Sequence, residues 1–69
     1  GMKGDVEGNL YTTGPGGLWV VSPAGELRQH AAFPEKTTNC AWAEADRRTL
    51  YVTAGTSIYR LRTRLPGAP

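Results

Sequence analysis

A chain of 69 residues that holds one cysteine, one histidine and one phenylalanine has little to brace itself with, and each scarcity removes a possibility. Cys40 has no second thiol to pair with inside the chain, and His30 with Cys40 cannot complete a zinc site, so disulfide and zinc scaffolds are excluded. A chain this short buries only about 60 % of the surface its unfolded form exposes, so its core is thin and oligomerisation is the remaining common reinforcement. No apolar run approaches the roughly 20 residues that cross a bilayer. The start lacks a charged region followed by an apolar one, so the chain reads as soluble with no export signal of its own. Neither sign of charge dominates: Lys and Arg number 8 and Asp and Glu 6, for a net charge of +2. That balance implies neither an electrostatic nucleic-acid binder nor a membrane binder, and neither partner is expected. A lone Cys40 within TTNCAWA fits a reducing compartment, so a cytoplasmic location is expected.

Glycine and proline are plentiful. They cut the chain at GPGG (14–17), SPAGE (22–26), FPEK (33–36), AGTS (54–57) and LPGAP (65–69), leaving runs of five to seven residues that suit strands better than helices. Those runs, LYTT (10–13), LWVV (18–21), LYVT (50–53) and IYRL (58–61), are rich in aromatic and β-branched side chains. GPGG and AGTS supply residues that reach positive φ and close hairpins. Pro23 can fix the first central position of a turn that Gly25 leaves, which makes ELRQHAAF (26–33) an outer strand paired to 17–22. One stretch has helical character, NCAWAEADRR (39–48), with Asn39 as a possible cap and alanines at 41, 43 and 45.

The pattern is written twice. NLYTTGPGGLWVV (9–21) aligns without a gap with TLYVTAGTSIYRL (49–61) at an offset of 40. Identities fall at Leu10/Leu50, Tyr11/Tyr51 and Thr13/Thr53, with close matches at Leu18/Ile58, Trp19/Tyr59 and Val21/Leu61. The same offset pairs Met2 with Trp42 and sets EADRR against the turn-like DVEGN, which argues against the helix. A period near 40 residues with about four short strands per unit is the signature of a β-propeller blade. The fold class read from the sequence is therefore all-β, two antiparallel blades of a partial propeller. A first blade spans 1–36, with an inner strand near 1–5 and strands near 9–13, 17–22 and 26–33. An incomplete second blade spans 37–65, with strands near 37–43, 49–54 and 57–62, and 66–69 form a tail. Two blades leave an outer face bare at each end, so the chain looks like part of a ring.

Several elements occur in order: Gly1-Met2, Asp5-x-x-Gly8-Asn9-Leu10-Tyr11, Gly16-Gly17-x-Trp19-Val20, Thr38-Asn39 and Leu50-Tyr51-x-Thr53. Through them nearly the whole chain resembles the gluconolactonase, regucalcin and senescence marker protein family, and its second half is similar to the closing stretch of the bacterial gluconolactonases. Gly1 before Met2 therefore has two readings, the remnant of a cleaved tag or the first residue of this motif. The resemblance implies a six-bladed propeller that binds one divalent cation, commonly calcium, in its channel and hydrolyses sugar lactones. A hard cation of this kind wants oxygen ligands, and it would polarise the lactone carbonyl and acidify a bound water. In the family the ligating aspartate of this region directly precedes the glycine that matches Gly1, and the other ligands lie outside the span matched. No metal ligand and no catalytic residue carries over, and the isolated chain is expected to be inactive. Asp5 matches a family aspartate that sits at a turn and is not a ligand. Asn39 stands, in the second copy, just before the channel-facing strand and equivalent to the absent aspartate, so it is the candidate for lining the channel; otherwise it bonds local backbone.

Other side chains invite weaker readings. His30 is a half-exposed strand histidine, with no nucleophile near it in sequence. Cys40 is a small buried hydrophobe. Arg60, Arg62 and Arg64 alternate and share a face, either a phosphate stripe or a solvated outer face. Trp19, Tyr51 and Tyr59, at matched positions, read as core between blades. Two functions follow: the C-terminal two-blade part of a calcium-dependent lactonase, or a self-assembling structural or binding module in which three copies supply six blades or two copies pair their open faces. In the second, a partner chain must supply the strand that the last blade lacks after residue 65.

Overall fold

The computed structural model describes residues 1–68. Seven strands follow one another: β1 (Met2–Gly4), β2 (Leu10–Gly14), β3 (Gly17–Val21), β4 (Leu27–Ala31), β5 (Thr37–Ala43), β6 (Thr49–Ala54) and β7 (Ser57–Arg62). Each pairs antiparallel with its neighbour in sequence, giving a four-stranded sheet β1-β2-β3-β4 and a three-stranded sheet β5-β6-β7. The described residues are all-β, and the two sheets have the form of adjacent propeller blades.

The turns explain the registers. β2 and β3 run to Gly14 and Gly17, so the hairpin loop is only Pro15-Gly16. Pro15 fixes its own φ and Gly16 takes φ +88°, the combination a type II turn requires. The second hairpin closes on Gly55-Thr56, with Gly55 at φ +57° as in a type II′ turn. Between β3 and β4 the Gly25 amide donates to the Ser22 carbonyl at 2.9 Å, and the Ser22 amide to the Glu26 carbonyl at 2.8 Å. Gly25, at φ +88°, returns the chain. β4 stops at Ala31, short of the 26–33 read from sequence, because Phe33 leaves the strand line to meet Tyr59 edge-on at 5.0 Å.

The stretch with helical character divides instead. As far as Ala43 it belongs to β5, whose alternation puts Cys40 and Trp42 on one face. Glu44 and Arg47 then take φ of 69° and 55°, and the Arg47 amide donates to the Glu44 carbonyl at 3.2 Å, which is a turn. The tail does not trail. The Ala68 amide donates to Gly4, the Val6 amide to Pro66 and the Gly67 amide to Arg47, while Gly67 bridges Asp5. Residues 66–68 are thus drawn back against both sheets; Pro69 lies outside the described residues.

The core lies between the sheets. Tyr11, Leu18 and Val20 of the first sheet meet Cys40, Leu50 and Val52 of the second, with Trp42 and Leu61 packed against them. Tyr11 and Trp42 meet edge-on with centroids 5.2 Å apart, the T-shaped arrangement that aromatic quadrupoles favour. Polar pins fix the approach. The buried Thr37 hydroxyl lies 2.9 Å from the Gly17 carbonyl and 3.2 Å from that of Gly14, and the Trp42 indole N–H donates to the Gly4 carbonyl at 2.9 Å.

The offset of 40 now has a geometric meaning. Residues paired across an antiparallel ladder share a face, so the first sheet's outward face carries Met2, Leu10, Thr12, Trp19 and Val21. Their equivalents Trp42, Leu50, Val52, Tyr59 and Leu61 face inward. Each sheet shows the same residues to the same side, but only one side of each has a neighbour. Hence Leu50 is 0 % exposed and Leu10 38 %, while Leu18 is 3 % exposed and Ile58 70 %.

Candidate functional site

β1 and β2 lie against β5, whereas β4 and β7 splay apart. The wedge between them is a cleft of about 730 Å³, open to solvent, with Tyr11, Leu18, Val20 and Leu61 on its walls and Arg28 and Arg64 among the residues at its rim. At its acidic end Asp5 is buried, and its carboxylate accepts from the Glu7 amide at 2.9 Å, the Asn9 amide at 3.0 Å and the Asn9 side-chain amide at 2.9 Å. Asp5 is the stitch that holds the turn into β2, as its place before that strand implied. Burial pushes the Tyr11 hydroxyl above the usual phenol pKa, and the neighbouring Asp5 carboxylate adds to the rise. Tyr11 therefore stays neutral and serves as a wall.

Where β1 and β5 approach each other, Gly1 and Asn39 lie side by side. The Gly1 amine donates to the Thr13 hydroxyl at 2.9 Å and to the Thr38 carbonyl at 3.3 Å. Asn39 sits within β5, the strand read near 37–43, and an irregularity between Thr37 and Asn39 shifts the register there. Its side chain is exposed, abuts Gly1, and accepts from the Cys40 amide at 2.9 Å. Part of its bonding capacity is thus spent on backbone.

The remaining candidates do not converge. His30 stacks on Trp19 with centroids 3.8 Å apart, and its Nε2 lies 2.6 Å from the Gly16 carbonyl, on the outward face. Cys40 is buried on the inward side of the other sheet. Burial raises its thiol pKa, opposed in part by the N-terminal amine and Lys3, so it is no ready nucleophile. Of the arginines, Arg62 binds Asp46 at 3.2 Å and the Thr49 hydroxyl at 2.9 Å, and Arg64 lies past the end of β7. The Arg48 amide, then Arg62, holds the Asp46 carboxyl below its usual pKa. Of the three, Arg62 is thus drawn into local pairing, and Arg64 does not continue the strand alternation.

A calcium ion needs about six to eight oxygen ligands. Among the described residues no three His, Cys, Asp or Glu side chains gather, Asp5 already accepts three bonds, and Asn39 stands alone. The donor set of the described residues does not fit the ion.

The family described as SMP-30/Gluconolactonase/LRE-like region matches residues 1–56, from β1 to the tip of the second hairpin. The chain belongs to this family. It is also similar to a gluconolactonase of Zymomonas mobilis, 35 % identical over 69 residues that cover 97 % of this chain and 19 % of the relative. The chain thus spans about a fifth of the length of that curated relative. No solved structure matches it. Within the family span, one member of each repeated pair, such as Tyr11, Leu18 and Leu50, fills the space between the sheets, and Asn39 of β5 is the side chain that the sequence offered for lining a channel.

Proposed function

We propose that these residues form two neighbouring blades of a sugar-lactone hydrolase of the gluconolactonase type, whose complete form uses a divalent cation, calcium. The observation that carries this reading is the family match over residues 1–56, whose strands form two antiparallel sheets packed face to face. The oxygen ligands and the acid–base chemistry come from chain outside this span, and Asn39, at the inner end of β5, lines the channel on which they converge. The isolated 69 residues accordingly hydrolyse no lactone. A pH-stat assay of the purified chain with glucono-lactone is expected to give the buffer rate with calcium and with chelator alike. A rate above buffer that chelator removes and Asn39→Ala abolishes would show a working channel site within this span.

A second reading is a structural or binding module that completes a propeller by self-association. What favours it is the pair of sheet faces left open, one at each end of the chain, with Met2 63 % and Ile58 70 % exposed.

A further inference from the structure

We infer that the chain associates head to tail, the outward face of one copy's second sheet seating on the outward face of the next copy's first sheet in the arrangement the two sheets adopt within the chain. This rests on the self-association reading and gives it a geometry. The repeat dictates this geometry. Inside the chain the first sheet offers Tyr11, Leu18 and Val20, and the second receives them with Trp42, Leu50 and Leu61. An offset of 40 carries the offering set onto Tyr51, Ile58 and Arg60 and the receiving set onto Met2, Leu10 and Val21. Both derived sets lie on the open faces. The interior contact is thus continued by the same backbone positions at both ends, and the occupant that fits each open face is the other end of a second copy.

Particular contacts follow. The Tyr11–Trp42 edge contact becomes Tyr51 of one copy against Met2 of the next, a sulfur–aromatic pair. Ile58 takes the place of Leu18 and gains the cover it lacks. Arg60 departs from the template. It stands where Val20 stands, so its stem covers apolar surface while the guanidinium reaches the perimeter, and the contact is weaker than the interior one. The two faces differ from each other, so the contact is heterologous and builds a closed ring where the rotation closes and an open stack where it does not.

Two single-cysteine chains test this, Met2→Cys and Tyr51→Cys, each with Cys40→Ala. Mixed and treated with a short thiol cross-linker at micromolar concentration, they are expected to join to each other, while neither joins to itself. A chain carrying both cysteines is expected to give a ladder or a single closed species. On the otherwise native chain, light scattering should show association tightened about tenfold by Arg60→Val, which restores the residue of the template, and weakened about tenfold by Ile58→Glu. Self-joining of Met2→Cys or of Tyr51→Cys would refute the head-to-tail geometry and leave self-association standing. A monomer at all concentrations, unchanged by Arg60→Val, would overturn both.

Discussion

Leu50→Ala is expected to destabilise the chain by about 2–5 kcal/mol, whereas Leu10→Ala, the same change at the aligned position, costs under about 1 kcal/mol. The two leucines have closely similar sequence surroundings, LYTT and LYVT. The difference lies in the neighbours. Leu50 is fully enclosed between the sheets, and its truncation loses transfer free energy and leaves a cavity that β6, held on both sides by β5 and β7, cannot close. Leu10 faces outward from β2 and is 38 % exposed, so solvent takes the place of the lost atoms. Urea unfolding followed by tryptophan fluorescence, at a concentration low enough to keep copies apart, measures both. A small domain has only a few kcal/mol to lose, so Leu50→Ala is expected to be largely unfolded at 25 °C. Equal costs at the two positions would mean that the sheets do not meet on the face assigned here.

Gly17→Ala should be as damaging for a different reason. Gly17 opens β3 with φ +123°, a conformation that residues with a Cβ rarely adopt, and a methyl group there would overlap the Ala31 carbonyl at the end of β4. Backbone cannot give way as a flexible side chain can. The strained conformation and the overlap together cost about 3 kcal/mol or more. Gly14, its partner across the hairpin, is the control, since its φ is not positive and a Cβ there meets nothing within 4 Å. Gly14→Ala is expected to stay within about 0.5 kcal/mol of the parent. Thermal melts of the two variants decide the matter; a chain this size shifts by about 4–8 °C per kcal/mol.

The contrast between Leu10 and Leu50 also shows where sequence reasoning succeeds. Strand positions follow from the spacing of glycine and proline, and the alternation within each run places Leu18 and Val20 on one side and Trp19 on the other. The offset of 40 marks which residues do equivalent work. What cannot be read from the chain is any contact made at long range by a group with no local signature. Thr37 looks like any strand threonine until its hydroxyl meets the carbonyls of Gly14 and Gly17. Gly67 looks like part of a tail until it lies against the Trp42 ring, where a Cβ would not fit. Asn39 falls within the strand read near 37–43, but the register shift after Thr37 and the Gly1 that faces it come from partners distant in sequence. The site is legible in the same partial way. A family resemblance points to a channel, while among the described residues no three His, Cys, Asp or Glu side chains gather and Asn39 is the one candidate the sequence offered to line it.

Cys40 offers the most direct measurement of the central claim, that the two copies of the repeat fold as sheets packed face against face. Cys40 is 3 % exposed, in the buried cluster that Tyr11, Leu18 and Val20 form with its ladder partner Val52, so its thiol can be modified only when the sheets part. The rate of its reaction with an aromatic disulfide, native against urea-unfolded, therefore reports that opening. The fold described here predicts protection of about 100-fold or more, lost in Leu50→Ala and retained in Leu10→Ala. A native chain with full β-sheet circular dichroism whose Cys40 reacts within a few-fold of the unfolded rate would contradict it.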